Sequence, residues 1–138
     1  MAGPLQGVVV LDLSRILAGP WATQVLADFG AEVIKVEHPR GGDDTRSWGP
    51  PYLKDEAGLD TTESAYYLSA NRGKRSVAID IATAEGQSLV RGLAAQADVL
   101  VENFKVGGLA RYGLAYEDLA SLNPRLVYLL ISAFGQDW

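Results

Sequence analysis

The chain of 138 residues has no cysteine, a single histidine and no long apolar run. The missing cysteine excludes any disulfide and suits a reducing compartment. No apolar stretch approaches the roughly 20 residues that a bilayer-spanning helix needs. The opening Met1-Ala2-Gly3-Pro4 lacks the basic region and apolar core of a secretory leader, so a soluble, cytoplasmic protein is the expectation. Positive charge is also in deficit: 12 Lys and Arg against 17 Asp and Glu leave a net charge of −5. A nucleic-acid partner therefore has no global electrostatic support. His38 would have to serve any nucleophile–histidine–acid triad, and no Gly-x-Ser-x-Gly turn accompanies it. Internal repeats and low-complexity tracts are absent too.

What is present reads as one globular core. The length suits a single domain, and 48% hydrophobic with 21% charged residues is near the globular average. Val8–Leu13 is a β-branched apolar run, predicting a strand buried on both faces. Gly19-Pro20 opens a helix whose apolar residues Trp21, Ala22, Val25, Leu26 and Phe29 fall on one face, with Gly30 closing it. Glu32–Glu37 completes a β-α-β unit. From His38 to about Thr62 glycines and prolines break the pattern, in a stretch too long for a simple connector. Glu63–Leu68 predicts a short helix. Val77–Ile81 predicts a strand, and Thr83 caps a helix over Ala84–Ala95 with Leu89, Val90, Leu93 and Ala94 inward. A strand at Val99–Glu102, short helices around Leu109–Tyr112 and Tyr116–Leu122, and a last strand at Leu126–Ile131 follow.

Strands alternating with helices argue for an α/β fold, a Rossmann-like parallel sheet with helices on both faces. Ligands in such sheets bind beyond the carboxyl ends of the strands. That singles out Ser14–Gly19, Glu37–Arg40, Asp80–Thr83, Glu102–Gly107 and Ser132–Gly135. A dinucleotide site is disfavoured, because Ser14–Pro20 carries one glycine where the fingerprint wants three, and Pro20 removes a backbone donor. Glu37 then reads as a solvated strand-end carboxylate. The basic segment Arg72–Arg75 reads either as solvated surface charge or as a loop that meets phosphates or holds a carboxylate across an interface. In Gly41–Arg46, a flexible loop whose Asp or Thr caps a short helix is a better reading than an acidic metal turn. No metal site is expected.

Longer stretches carry a family likeness. Leu11-Asp12-Leu13-Ser14-Arg15, Leu17-Ala18-Gly19-Pro20, Leu26–Glu37, Gly42-Asp43-Asp44-Thr45-Arg46, Asn71–Asp80, Asp98–Phe104, Leu122–Leu126 and Ser132–Gln136 stand in order along the chain. Together they resemble the N-terminal part of class III coenzyme A-transferases. Gly42–Pro51 and Tyr66–Ser69 look most like transferases acting on dicarboxylic acids, of the succinyl-CoA:glutarate type.

The resemblance implies that residues 1–138 form an N-terminal CoA-binding Rossmann-like domain, part of a homodimer whose chains interlock. It implies CoA contacts at Arg15, Ile16, Leu17 and Ala18, at His38, and at Ile79, Asp80, Ile81 and Ala82. Further contacts fall on Asn103, Phe104, Lys105 and Arg111. His38 stands where an arginine is common and Ala82 where a lysine can occur, with Arg40 a substitute for the former. Acyl-CoA and a carboxylic acid would be the substrates, with no resident cofactor. The attacking aspartate would lie beyond Trp138: Asp137 comes too early and Trp138 replaces a small residue, so no catalytic residue is assigned within the chain. A CoA-thioester racemase of the same fold and a non-catalytic truncated chain are the alternatives.

Overall fold

The computed structural model describes residues 3–136; Asp137 and Trp138, weighed above, lie outside the described residues. Five parallel strands form the main sheet: β1 (Val9–Asp12), β2 (Glu32–Glu37), β5 (Lys74–Ala78), β6 (Val99–Glu102) and β7 (Val127–Leu130), in the order β5-β2-β1-β6-β7. β1 is central, its Val10 in register with Val33 on one side and Val99 on the other. Helices cover both faces, as the alternation predicts. One face carries Val10, Val33 and Val101 against Leu26 and Ala27 of α1 (Ala18–Asp28). The other carries Leu11 and Leu100 against Val90 and Ala94 of α3 (Ala84–Ala94) and Leu119 of α4 (Tyr116–Leu122). No helix among the described residues is long and apolar enough to cross a membrane.

The long segment after β2 is ordered by its own contacts. It holds a 3₁₀ turn (Asp44–Ser47) capped by the Asp43 carboxylate, as the capping reading expects, and an antiparallel hairpin, β3 (Tyr52–Lys54) with β4 (Asp60–Ser64). Ser64 caps α2 (Ala65–Ala70) by accepting from the Tyr67 N–H, so the short helix starts two residues later than Glu63.

Four expectations are corrected. β5 starts at Lys74, three residues before Val77. It is an edge strand paired with β2, with Arg75 and Ser76 exposed and the Lys74 side chain buried among bonded partners. The apolar stripe of α1 is largely turned outward: Trp21, Val25 and Phe29 are 53%, 40% and 51% exposed, while Thr23 and Gln24 are buried. The Asp12 carboxylate beneath the helix draws Thr23 inward, and Gln24 donates to the Ser69 carbonyl and accepts from the Arg72 N–H. Gly19 allows the close approach, since a Cβ there would run into the Ser14 side chain. Leu89 of α3 likewise faces outward, and Val127 and Leu129 of the edge strand β7 are exposed rather than buried on both faces.

Candidate functional site

Three strands of the main sheet end in a buried carboxylate that bends back to hold the loop after it. Asp12 Oδ1 accepts from the Ser14 N–H (2.9 Å) and hydroxyl, Glu37 Oε2 from the Asp43 N–H (2.8 Å), and Glu102 Oε2 from the Phe104 N–H (2.7 Å). Each remaining oxygen finds a donor too, which burial demands.

Glu37, expected in solvent, is 6% exposed. Burial pushes its carboxyl up, but Arg46, Ser76, the Asp43 N–H and Tyr67 outweigh that and hold it at about 2. Arg46 also pairs with Glu63 and stacks 3.8 Å above the Tyr67 ring centre. Buried and bonded to Glu37, the Tyr67 phenol is pushed well above its ordinary range. Among the described residues no cation pairs with Glu102, and burial raises its pKa.

The basic segment divides into surface charge and one buried cation. Arg72 and Arg75 pair with Asp28 and Glu32 at the exposed surface. The Lys74 ammonium is buried, donating to Asp12 Oδ2 (2.9 Å), the Pro20 carbonyl (2.8 Å) and Asn71 Oδ1 (2.9 Å). Burial lowers it to about 8 despite Asp12. The carboxylate it meets belongs to this chain, where one across an interface was the expectation. Lys35 lies beside it on the same face, paired with Asp43 at 2.9 Å and donating to the Ser14 carbonyl. A lysine in the middle of the apolar run Glu32–Glu37 was the sequence signal for this network, since an unpaired buried charge is too costly to persist.

These groups fix the turn between β1 and α1. The amides of Ser14, Arg15 and Ile16 donate to Asp12, Asn103 and Asp43 respectively. The Asn103 amide also donates to the Arg15 carbonyl (2.8 Å), clasping the loops after β1 and β6 where the connectivity of the sheet reverses. A dinucleotide loop would offer such amides to a pyrophosphate; here side chains already occupy them.

Beside this turn, at the carboxyl ends of β1, β2 and β5, opens a cleft of ≈ 360 Å³. Arg15, His38, Ile79, Asp80, Ile81, Ala82, Phe104 and Arg111, all singled out in the sequence, line it together, with Leu13, Val36, Glu37 and Tyr112. The Arg15 guanidinium lies 5.3 Å from the Phe104 ring centre, and Arg111 4.5 Å from that of Tyr112. Asp80 Oδ1 accepts from the Ala82 N–H, shaping the turn after β5. His38 Nδ1 bonds the Arg40 backbone. Asn103 and Lys105 sit on the far side of Phe104, lining a second cavity of ≈ 380 Å³ with Ser132–Gly135. Ile16, Leu17 and Ala18 are exposed at the start of α1 and line neither. Leu13, Val36 and Tyr112 were missed, because apolar lining looks like core in a sequence.

Sheet order, crossovers and the strand-end cleft define a Rossmann-like α/β domain. The chain belongs to CoA-transferase family III, whose family pattern matches residues 5–137. It is 58% identical over 133 residues to a succinate–glutarate CoA-transferase of Agrobacterium fabrum, covering 96% of this chain and 33% of that protein. It is 51% identical to the human succinyl-CoA:glutarate CoA-transferase, covering 96% and 29%. The crystal structure of a CAIB/BAIF family protein from Brucella suis superposes with a TM-score of 0.93 at 54% identity, covering 100% of this chain and 35% of that one. The chain thus spans about a third of the length of the relatives it matches.

Proposed function

We propose that this chain is the coenzyme A-holding part of an enzyme that transfers CoA from an acyl-CoA thioester to a carboxylic acid, with dicarboxylic acids the favoured class. One observation carries the reading: eight of the thirteen residues assigned to CoA by family resemblance line a single cleft at the strand ends. Its chemistry suits the ligand. Ile79, Ile81 and Phe104 offer an apolar wall for adenine, and Arg15 and Arg111 offer cations for its phosphates, with Arg40 bonded through its backbone to the lining His38. Membership of the family and the names of the relatives support the transferase reaction.

In that reaction an aspartate carboxylate attacks the acyl-CoA carbonyl, expelling CoA thiolate and leaving a mixed anhydride. The thiolate attacks the aspartyl carbonyl, forming aspartyl-CoA and releasing the donor acid. The acceptor carboxylate repeats the two steps in reverse, regenerating the aspartate. This is nucleophilic catalysis in which each step is easier than direct exchange. The role of this chain is to hold the departing thiolate close by its nucleotide end, and the aspartate is supplied from outside these residues. The whole enzyme is proposed to be a cytoplasmic homodimer with interlocked chains.

Calorimetric titration with CoA tests the cleft. Binding is expected, with Arg111→Glu weakening it by about tenfold or more through reversed charge at the phosphates. Equal affinity in that variant contradicts the assignment. The isolated 138-residue protein is expected to show no CoA exchange between succinyl-CoA and glutarate; measurable turnover refutes the placing of the nucleophile.

A further inference from the structure

Ile16 is the only non-glycine residue among the described residues with a positive φ, 72°. For a β-branched side chain that backbone region is strained, and it persists only where the surroundings over-determine it. Here they do. Asp43 comes from a different loop, yet its carboxylate accepts the Ile16 N–H at 3.2 Å. The same carboxylate caps the 3₁₀ turn through Thr45 and pairs with Lys35, at side-chain exposures of 0% and 1%. Lys35 in turn donates to the Ser14 carbonyl, two residues before Ile16. One buried ion pair therefore grips the turn at both ends of its strained peptide. Burial pushes the Asp43 carboxyl up, but Lys35 outweighs this and holds it below its ordinary value.

We infer that Asp43 is a positioning residue: through the Ile16 N–H, seated by Lys35, it holds the turn that carries Arg15 to the cleft. It touches no ligand itself. The turn has no glycine to adopt this shape unaided, and the stretch after Ile16 leads directly into α1. Released, Ile16 relaxes to negative φ and Arg15 swings off the Phe104 ring. The inference rests on the reading of the cleft as a CoA site, and its test separates the two.

Removing Asp43 alone leaves Lys35 buried without a partner and endangers folding. Two neutral double variants avoid this: Lys35→Met with Asp43→Ala, and Lys35→Met with Asp43→Asn. They share the same buried methionine and differ in the side-chain oxygen that accepts from the Ile16 N–H and from Thr45. Amide hydrogen exchange at Ile16 and CoA affinity by calorimetry are measured in both, with Val90→Ala, a core change in α3, as a control for lowered stability alone. The alanine variant is expected to exchange Ile16 about fivefold faster and bind CoA about fivefold more weakly than the asparagine variant, the factor that goes with one neutral hydrogen bond. Val90→Ala is expected to leave CoA affinity unchanged. Equal affinity and equal exchange in the two double variants overturns the inference, as does matching weakening by Val90→Ala. If the unmodified chain does not bind CoA, the cleft assignment fails separately. The clamp then stands or falls on exchange: faster Ile16 exchange in the alanine variant upholds it, and indifference overturns it.

Discussion

Glu37 closes β2 with its carboxylate inside the protein, bonded by Arg46, Tyr67, Ser76 and the Asp43 amide. Its folded-state value of about 2 lies below its ordinary 4.5. The stabilisation is therefore complete above pH 4.5 and is lost as pH falls toward 2, on the order of 3 kcal/mol over that window. Asp43, lowered by Lys35, acts in the same direction; Glu102, raised by burial, opposes it. Urea unfolding of Glu37→Gln is expected to show lower stability at neutral pH and a flatter decline through acid. An unchanged slope contradicts the burial of an ionised carboxylate. At this scale the sequence exposed positions more readily than partners. Strand-end topology found Glu37 and Asp80, but not that Glu37 faces inward, because its counter-ion Arg46 comes from a loop that no periodicity places.

Among the elements, strands and helices were legible wherever apolar periodicity agreed with the environment. β1, β2, β6 and α4 fall within a residue or two of their predicted spans. Periodicity failed where charge overrode it. In α1, Asp12 and Lys74 beneath the helix select Thr23 and the close-packed Gly19, and Thr23 donates to Asp12 at 2.6 Å. Trp21, Val25 and Phe29 are left facing out, and Val127 and Leu129 of β7, on the sheet face that α1 covers, are also exposed. Apolar area of this kind favours association. Replacing Trp21, Val25 and Phe29 with serine is expected to reduce light scattering at high protein concentration. Thermodynamic stability should change by no more than about 0.5 kcal/mol per site, as for other surface positions. A large loss of stability would show that the stripe is packed inward after all.

Across the whole molecule, function follows from connectivity. Central β1 and its reversal against β6 bring Arg15, Phe104 and Arg111 to one edge although they are far apart in sequence. Topology alone pointed to this edge, and the family resemblance named most of the cleft's residues. The division of that set into a lined cleft, a neighbouring cavity and an exposed helix start needed the fold, because Asn103 and the Phe104 ring partition the space. The central claim is that the cleft accepts coenzyme A and not a dinucleotide. Thermal unfolding with saturating CoA, and separately with NAD, tests it most directly. A ligand of the folded state at a hundredfold excess over Kd adds about 2.7 kcal/mol, enough to raise Tm by several degrees. That rise is expected with CoA and none with NAD. No rise with CoA, or an equal rise with NAD, would contradict it.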